Sequence, residues 1–181
     1  MAKRLLQLVV FSIAAFMIGG CVTPPYKEPL SGPRAKVRFA LVSQQHGASN
    51  IFTYPDTPCK GGMLVGGLLV GKGAITKKHK SLNIPLTPAT RAGKKTYTEV
   101  YVPAGKRFIV EMDWNDGGYP YYTYCNVTTS FIPRDGGMYD VLNLVRGDKC
   151  GIAVFDIVKD KTGKFVTRKD ASQRKERQCG S

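Results

Sequence analysis

A chain of 181 residues, 27 of them Lys or Arg against 13 Asp or Glu, carries a formal net charge of +14. Its length suits one domain with a real core. The charge draws anions, but no recognisable RNA- or DNA-binding signature accompanies it, so nucleic acid is not the expected partner.

The first residues read as an export signal. Lys3 and Arg4 precede residues 5–18, about fourteen residues broken only by Gln7 and Ser12. That is short of the roughly twenty needed to cross a bilayer as a helix, and the layout is that of a secretory signal peptide. Ile18-Gly19-Gly20-Cys21 resembles the bacterial lipobox, an aliphatic residue and two small ones before a cysteine. The resemblance implies cleavage before Cys21 and acylation of its thiol and new α-amine, so that acyl chains hold the protein to a lipid bilayer. Val22, where an aspartate would retain such a protein at the inner membrane, implies an outer-membrane address, with the periplasmic face as the expected side. Residues 1–20 are thus the expected signal and residues 21–33 a lipidated cysteine with a Pro-rich tether, "VTPPYKEPLSGP". Loss of Lys3 and Arg4 leaves 25 cations against 13 acids, a net charge of +12.

The body, residues 34–168, reads as strands. Val37, Phe39 and Leu41 share one face, opposite Arg38 and Ala40. Residues 50–54 predict a second strand, stopped by Pro55-Asp56. In "KGGMLVGGLLVGKGAITKKHK" the glycines do not lead a strand into a helix, and no GKS or GKT occurs, so a phosphate-binding loop is discarded. Residues 63–70 instead predict a strand whose glycines permit a bulge, followed by a basic loop. Residues 96–102 and 106–112 flank Pro103-Ala104-Gly105 and predict a hairpin, with Phe108, Val110 and Met112 inward. Residues 121–131, 138–145 and 150–158 alternate likewise, and "KFVTR" follows a turn at 160–163. Many short strands between turns predict an all-β fold, an antiparallel β-sandwich of immunoglobulin- or transthyretin-like type. Residues 169–181 form a basic C-terminal tail.

With Cys21 lipidated, Cys59, Cys125, Cys150 and Cys179 remain, an even number in an exported chain and open to three connectivities. The favoured pairs are Cys125–Cys150 and Cys59–Cys179. In a flat meander, strands 121–131 and 150–158 would be second neighbours about 9.5 Å apart, beyond the usual 4.4–6.8 Å between bridged Cα atoms. Pairing Cys125 with Cys150 therefore requires adjacent strands, or two sheets with a strand that changes between them. Zinc is the rival use, but no CxxC or close Cys/His pair occurs, and no metal or other cofactor is expected.

Catalysis finds little support. His46 lies in a polar turn, "SQQHGASN", and His79 lies between lysines; nothing identifies a carboxylate to orient either. Asp113 and Asp116 around Trp114 suggest a turn, and "DWNDGG" lacks the ligand spacing of a calcium loop. The candidate binding groups are the cations Lys72, Lys77, Lys78 and Lys80 and the aromatics Trp114, Tyr119, Tyr121, Tyr122 and Tyr124, whose rings would stack on sugars or anchor a protein.

Cys125, Phe131, Pro133, Gly136, Tyr139, Val141 and Cys150 form a spacing pattern that, with the lipobox and the Pro-rich segment, resembles small proteobacterial outer-membrane lipoproteins. The resemblance implies an address and a scaffold but no defined activity. The expectation is a noncatalytic protein-interaction or envelope-assembly module; the alternative is a binder of anionic envelope glycans, peptidoglycan or lipopolysaccharide, through the basic loops and tyrosines.

Overall fold

The computed structural model describes residues 23–70, 81–88, 90, 96–118 and 123–178. Ten strands follow in order: β1 (Arg34–Ser43), β2 (Gly47–Tyr54), β3 (Met63–Val70), β4 (Tyr97–Pro103), β5 (Phe108–Asn115), β6 (Tyr124–Phe131), β7 (Met138–Arg146), β8 (Lys149–Lys159), β9 (Phe165–Lys169) and β10 (Arg174–Lys175). They form two five-stranded sheets, β4-β1-β7-β8-β9 and β10-β6-β5-β2-β3. Every pairing is antiparallel except β1 with β7, which run parallel. The sandwich expected from alternation is therefore present.

Period-two patterning explains the core. Val37, Phe39 and Leu41 of β1, Val100 and Val102 of β4, and Tyr139, Val141 and Val154 of β7 and β8 face Ile51, Leu68, Val110, Met112, Trp114 and Phe131 of the other sheet. Phe108 meets the Phe131 ring edge-on at 5.9 Å, an arrangement that suits the charge distribution of aromatic rings. Gly47 lets β2 close on Trp114: a Cβ there would lie 2.7 Å from the indole nitrogen and 2.6 Å from the Asn115 carbonyl. Opposite Ile51 and Phe52 the β3 ladder slips, leaving Val65 as the extra residue of a bulge.

One expected pairing is wrong. β4 and β5 are not a hairpin; β4 pairs with β1, and β5 lies between β2 and β6. Residues 104–107 cross between the sheets, held by Ala104 N–H to the Pro33 carbonyl at 3.0 Å and Gly105 N–H to the Pro133 carbonyl at 2.8 Å. The crossing lets the apolar faces of both strands oppose one another across the core, whereas a hairpin would put them side by side in one layer.

Cys125 on β6 and Cys150 on β8 are bridged across the two sheets, with Cα atoms 6.2 Å apart. The chain changes sheets between β6 and β7, which brings these residues face to face. Cys59 is also disulfide-bonded; Cys179 lies outside the described residues.

Residues 24–28 and 173–175 pack on the sandwich. Pro24 accepts from Leu64 N–H and Tyr26 N–H donates to the Leu64 carbonyl, each at 2.9 Å, on the outer edge of β3. The Tyr26 hydroxyl donates to the Tyr101 carbonyl at 3.0 Å and Glu28 accepts from Tyr101 N–H at 2.9 Å, on the outer edge of β4. The Pro-rich segment thus straps the two sheets together. At the opposite side, β10 pairs with β6, and Gln173 bonds Val154 N–H, the Ile152 carbonyl and the Thr129 hydroxyl.

Candidate functional site

The expected lysine cluster, Lys72, Lys77, Lys78 and Lys80, lies outside the described residues, as do Cys21, Tyr119, Tyr121 and Tyr122. Trp114 does not belong to an exposed recognition cluster: it is wholly buried in the core. Its neighbour in register, Cys125, shares that inward face, so Tyr124 one residue earlier points outward and is 55% exposed. The alternation of β5 and β6 therefore separates the two rings that the sequence reading joined. Asp113 is a strand residue that accepts from Asn50 N–H at 2.6 Å, whereas Asp116 does hold a turn, accepting from Gly118 and Thr123 N–H at 3.0 Å. Those backbone donors hold the Asp116 carboxyl below its ordinary range.

The densest polar constellation was not anticipated. Arg38 lies directly opposite Glu99 on β4 and Asp140 on β7, so one row across three strands reads acid, arginine, acid. All three are buried, because residues 81–88 and Thr90 cover this outer face of the sheet. Arg38 donates from Nε to Glu99 at 3.0 Å and from Nη1 to Asp140 at 3.1 Å and to the Thr90 hydroxyl at 3.2 Å. It also donates to the carbonyls of Ile84 and Pro85. Thr87 donates its hydroxyl to Asp140 at 2.6 Å, Leu82 N–H donates to Glu99, and Lys36 reaches the Leu82 carbonyl at 2.9 Å. Burial nevertheless raises the Asp140 carboxyl above its ordinary 3.8, outweighing the bonds from Thr87 and Arg38. The arrangement clamps a covering segment to a sheet; its donors and acceptors are turned toward one another instead of an open cleft.

The other sheet carries a smaller cluster on its outer face. Glu111 accepts from the Tyr54 hydroxyl at 3.0 Å, Asn126 Nδ2 at 2.7 Å and the Thr128 hydroxyl at 3.3 Å. Burial and the neighbouring Glu111 carboxylate push the Tyr54 phenol well above its ordinary pKa.

A surface groove of about 710 Å³ opens at one end of the sandwich, between the β1–β2 and β7–β8 turns. Val42, Val70, Leu144 and the bridged Cys150 form its apolar wall, and His46, Arg146 and Lys149 supply ionisable groups; among the described residues, no Asp or Glu lines it. Among the described residues, no three His, Cys, Asp or Glu side chains gather to hold a metal ion, and no helix is long and apolar enough to cross a membrane. No protein-family model, curated protein or solved structure matches the chain.

Proposed function

We propose that the protein is an outer-membrane-anchored periplasmic lipoprotein that acts as a noncatalytic protein-interaction or envelope-assembly module. The observation that carries the reading is the docking of residues 24–28 on the edges of both sheets. Pro24 lies three residues beyond Cys21, a reach of about 10 Å in an extended chain. An acylated Cys21 would therefore hold the whole sandwich close to the bilayer and restrict its tumbling, which suits a scaffold that must meet a partner in one orientation. Metabolic labelling with a palmitate analogue tests this: the wild type should be marked and Cys21→Ser should not, and equal labelling of the two would end the lipoprotein reading.

The groove beside His46, Arg146 and Lys149 favours a second reading, the binding of an anionic envelope glycan. Arg146→Gln with Lys149→Gln should then reduce retention on purified peptidoglycan or lipopolysaccharide, most at low salt, since exposed charges are screened beyond about 10 Å at 0.1 M. Unchanged retention would leave these cations as a solvated surface.

A further inference from the structure

A β-sandwich has sheet edges, and each unpaired edge is a template for another strand unless something covers it. On β3, Pro24 and Tyr26 occupy the backbone groups of Leu64, and the Thr96 hydroxyl donates to the Leu69 carbonyl at 2.7 Å. On β4, Tyr26 and Glu28 occupy both backbone groups of Tyr101. On β6, β10 pairs at Thr129 and Ser130, Glu176 N–H continues to the Thr128 carbonyl at 3.1 Å, and Gln178 reaches the Asn126 carbonyl at 3.0 Å. β10 is itself an edge but only two residues long, so the edge left with room for another strand is β9, whose five residues are all exposed and, among the described residues, have no strand beyond them.

The ladder with β8 decides which groups β9 presents. Asp170 N–H donates to the Val154 carbonyl and Asp160 N–H to the Lys164 carbonyl, each at 2.9 Å. In an antiparallel pair alternate residues turn their backbone groups toward the partner. With Val166 and Arg168 opposite Val158 and Asp156, these two bond inward, and Phe165, Thr167 and Lys169 direct theirs outward. Three consecutive outward positions are enough to seat an extended peptide.

Charge then selects the occupant. Lys159, Lys161, Lys164, Arg168 and Lys169 surround the edge. The two nearby acids are taken up by their own turns: Asp160 accepts from Thr162 and Lys164 N–H, and Asp170 accepts from Ser172 N–H. Arg168 is paired with Asp156, while Lys161, Lys164 and Lys169 make no ion pair among the described residues. A second copy of this edge would bring the same excess of cations and be repelled. Phe165 and Val166, 40% and 38% exposed, add apolar contact on opposite faces.

We propose that β9 is a strand-addition site for an extended, acidic segment of a partner protein, main-chain hydrogen bonds at Phe165, Thr167 and Lys169 supplying the pairing and the flanking lysines the selectivity. The inference rests on the interaction-module reading and names the partner's chemistry. The test uses the purified mature chain and an eight-residue peptide of alternating valine and glutamate, followed by amide NMR and fluorescence anisotropy. Binding should shift the amides of β9, weaken with salt, and fall at least about ten-fold when alternate peptide amides are methylated, since each lost pairing bond contributes on the order of 1 kcal/mol. Thr167→Pro removes an outward N–H on an edge that tolerates proline and should have the same effect with the fold intact; Lys164→Glu with Lys169→Glu should transfer preference to a second eight-residue peptide, of alternating valine and lysine. Equal binding by the methylated peptide, or shifts confined to other strands, would overturn strand addition, as would concentration-dependent dimerisation through β9 in place of peptide binding. A photo-crosslinker placed in cells at Thr167 and, separately, at Tyr124 distinguishes the two levels. Protein adducts at Tyr124 alone would overturn the β9 site and keep the module, whereas peptide binding in solution with no adduct at either position would overturn the module.

Discussion

Arg38 and Arg134 each meet a buried aspartate on the β4-β1-β7-β8-β9 sheet, yet the two contacts differ in what surrounds them. Arg38, Glu99 and Asp140 are fully enclosed, with side-chain exposures of 2% or less. Arg134 and Arg168 converge on Asp156, whose side chain is only 4% exposed, but both arginine side chains remain 60% or more exposed. Arg134 approaches both Asp156 oxygens, at 2.6 and 2.7 Å, so its geometry is at least as good as that of Arg38. Geometry alone does not set the energetic consequence. Water screens and replaces the Arg134 contact, whereas nothing replaces Arg38 once residues 81–88 and Thr90 have closed over it.

Removing Arg38 is the hardest way to break the comparison. Arg38→Ala leaves two buried carboxylates without their cation and the Ile84 and Pro85 carbonyls of the covering segment without this donor. We expect destabilisation of about 3–5 kcal/mol, the range for breaking one partner of a buried pair. Urea unfolding measures it, and a loss below about 1 kcal/mol would mean that water reaches the cluster. Thr87→Val is a finer cut. It removes the hydroxyl that donates to Asp140 at 2.6 Å while retaining most of the side-chain volume, and should cost about 1–3 kcal/mol, the penalty of an unsatisfied buried acceptor.

The contrast also shows what the sequence could disclose. The core face of β1 was readable because Val37, Phe39 and Leu41 repeat at the strand period, and for the favoured Cys125–Cys150 pair the spacing limit on bridged cysteines required adjacent strands or two facing sheets, the second of which is found. The opposite face was not. Arg38 in an alternating strand has the pattern of a solvent-facing residue, and only the cover from residues 81–88 and Thr90 makes it internal. A signal did exist: Arg38, Glu99 and Asp140 are each a charge in the middle of an apolar strand, but joining them required the parallel β1–β7 pairing. The failed β4–β5 hairpin has the same origin, since a short turn specifies where the chain bends but not which sheet receives it. Trp114 was misread because a ring near glycines and aspartates resembles a loop residue, although it is the inward member of an alternating strand.

Asp140 sharpens the comparison through pH. Burial raises its carboxyl above 3.8, so the folded chain retains that proton to higher pH than the unfolded chain. Between those two values the folded state binds more protons, and the stability contributed by this group falls as pH rises through the window. Asp140→Asn removes the titration. The stability difference, wild type minus variant, should therefore decline from acid pH toward neutrality, then level off above the folded pKa. A difference that grows over that interval would show the carboxylate to be held mainly by Arg38 and Thr87, with burial the lesser influence.

The smallest expected effect is at Arg168. Its guanidinium donates to Asp156 at 2.8 Å but is 66% exposed, and Arg134 already serves the same carboxylate. Losing it should cost about 0–1 kcal/mol, since an exposed pair gains little over two solvated ions and the acid keeps its other donor. Arg134→Ala alone should fall in the same range for the same reason, while removing both leaves Asp156 buried with no cation. The double-mutant cycle decides whether the two arginines act independently. A coupling near zero would mean that each arginine acts on Asp156 independently of the other; a double variant costing more than the sum of the singles by about 1 kcal/mol or more would show that either arginine suffices. Additivity here, set beside a large loss from Arg38 alone, would locate the difference between the clusters in burial and not in the number of cations.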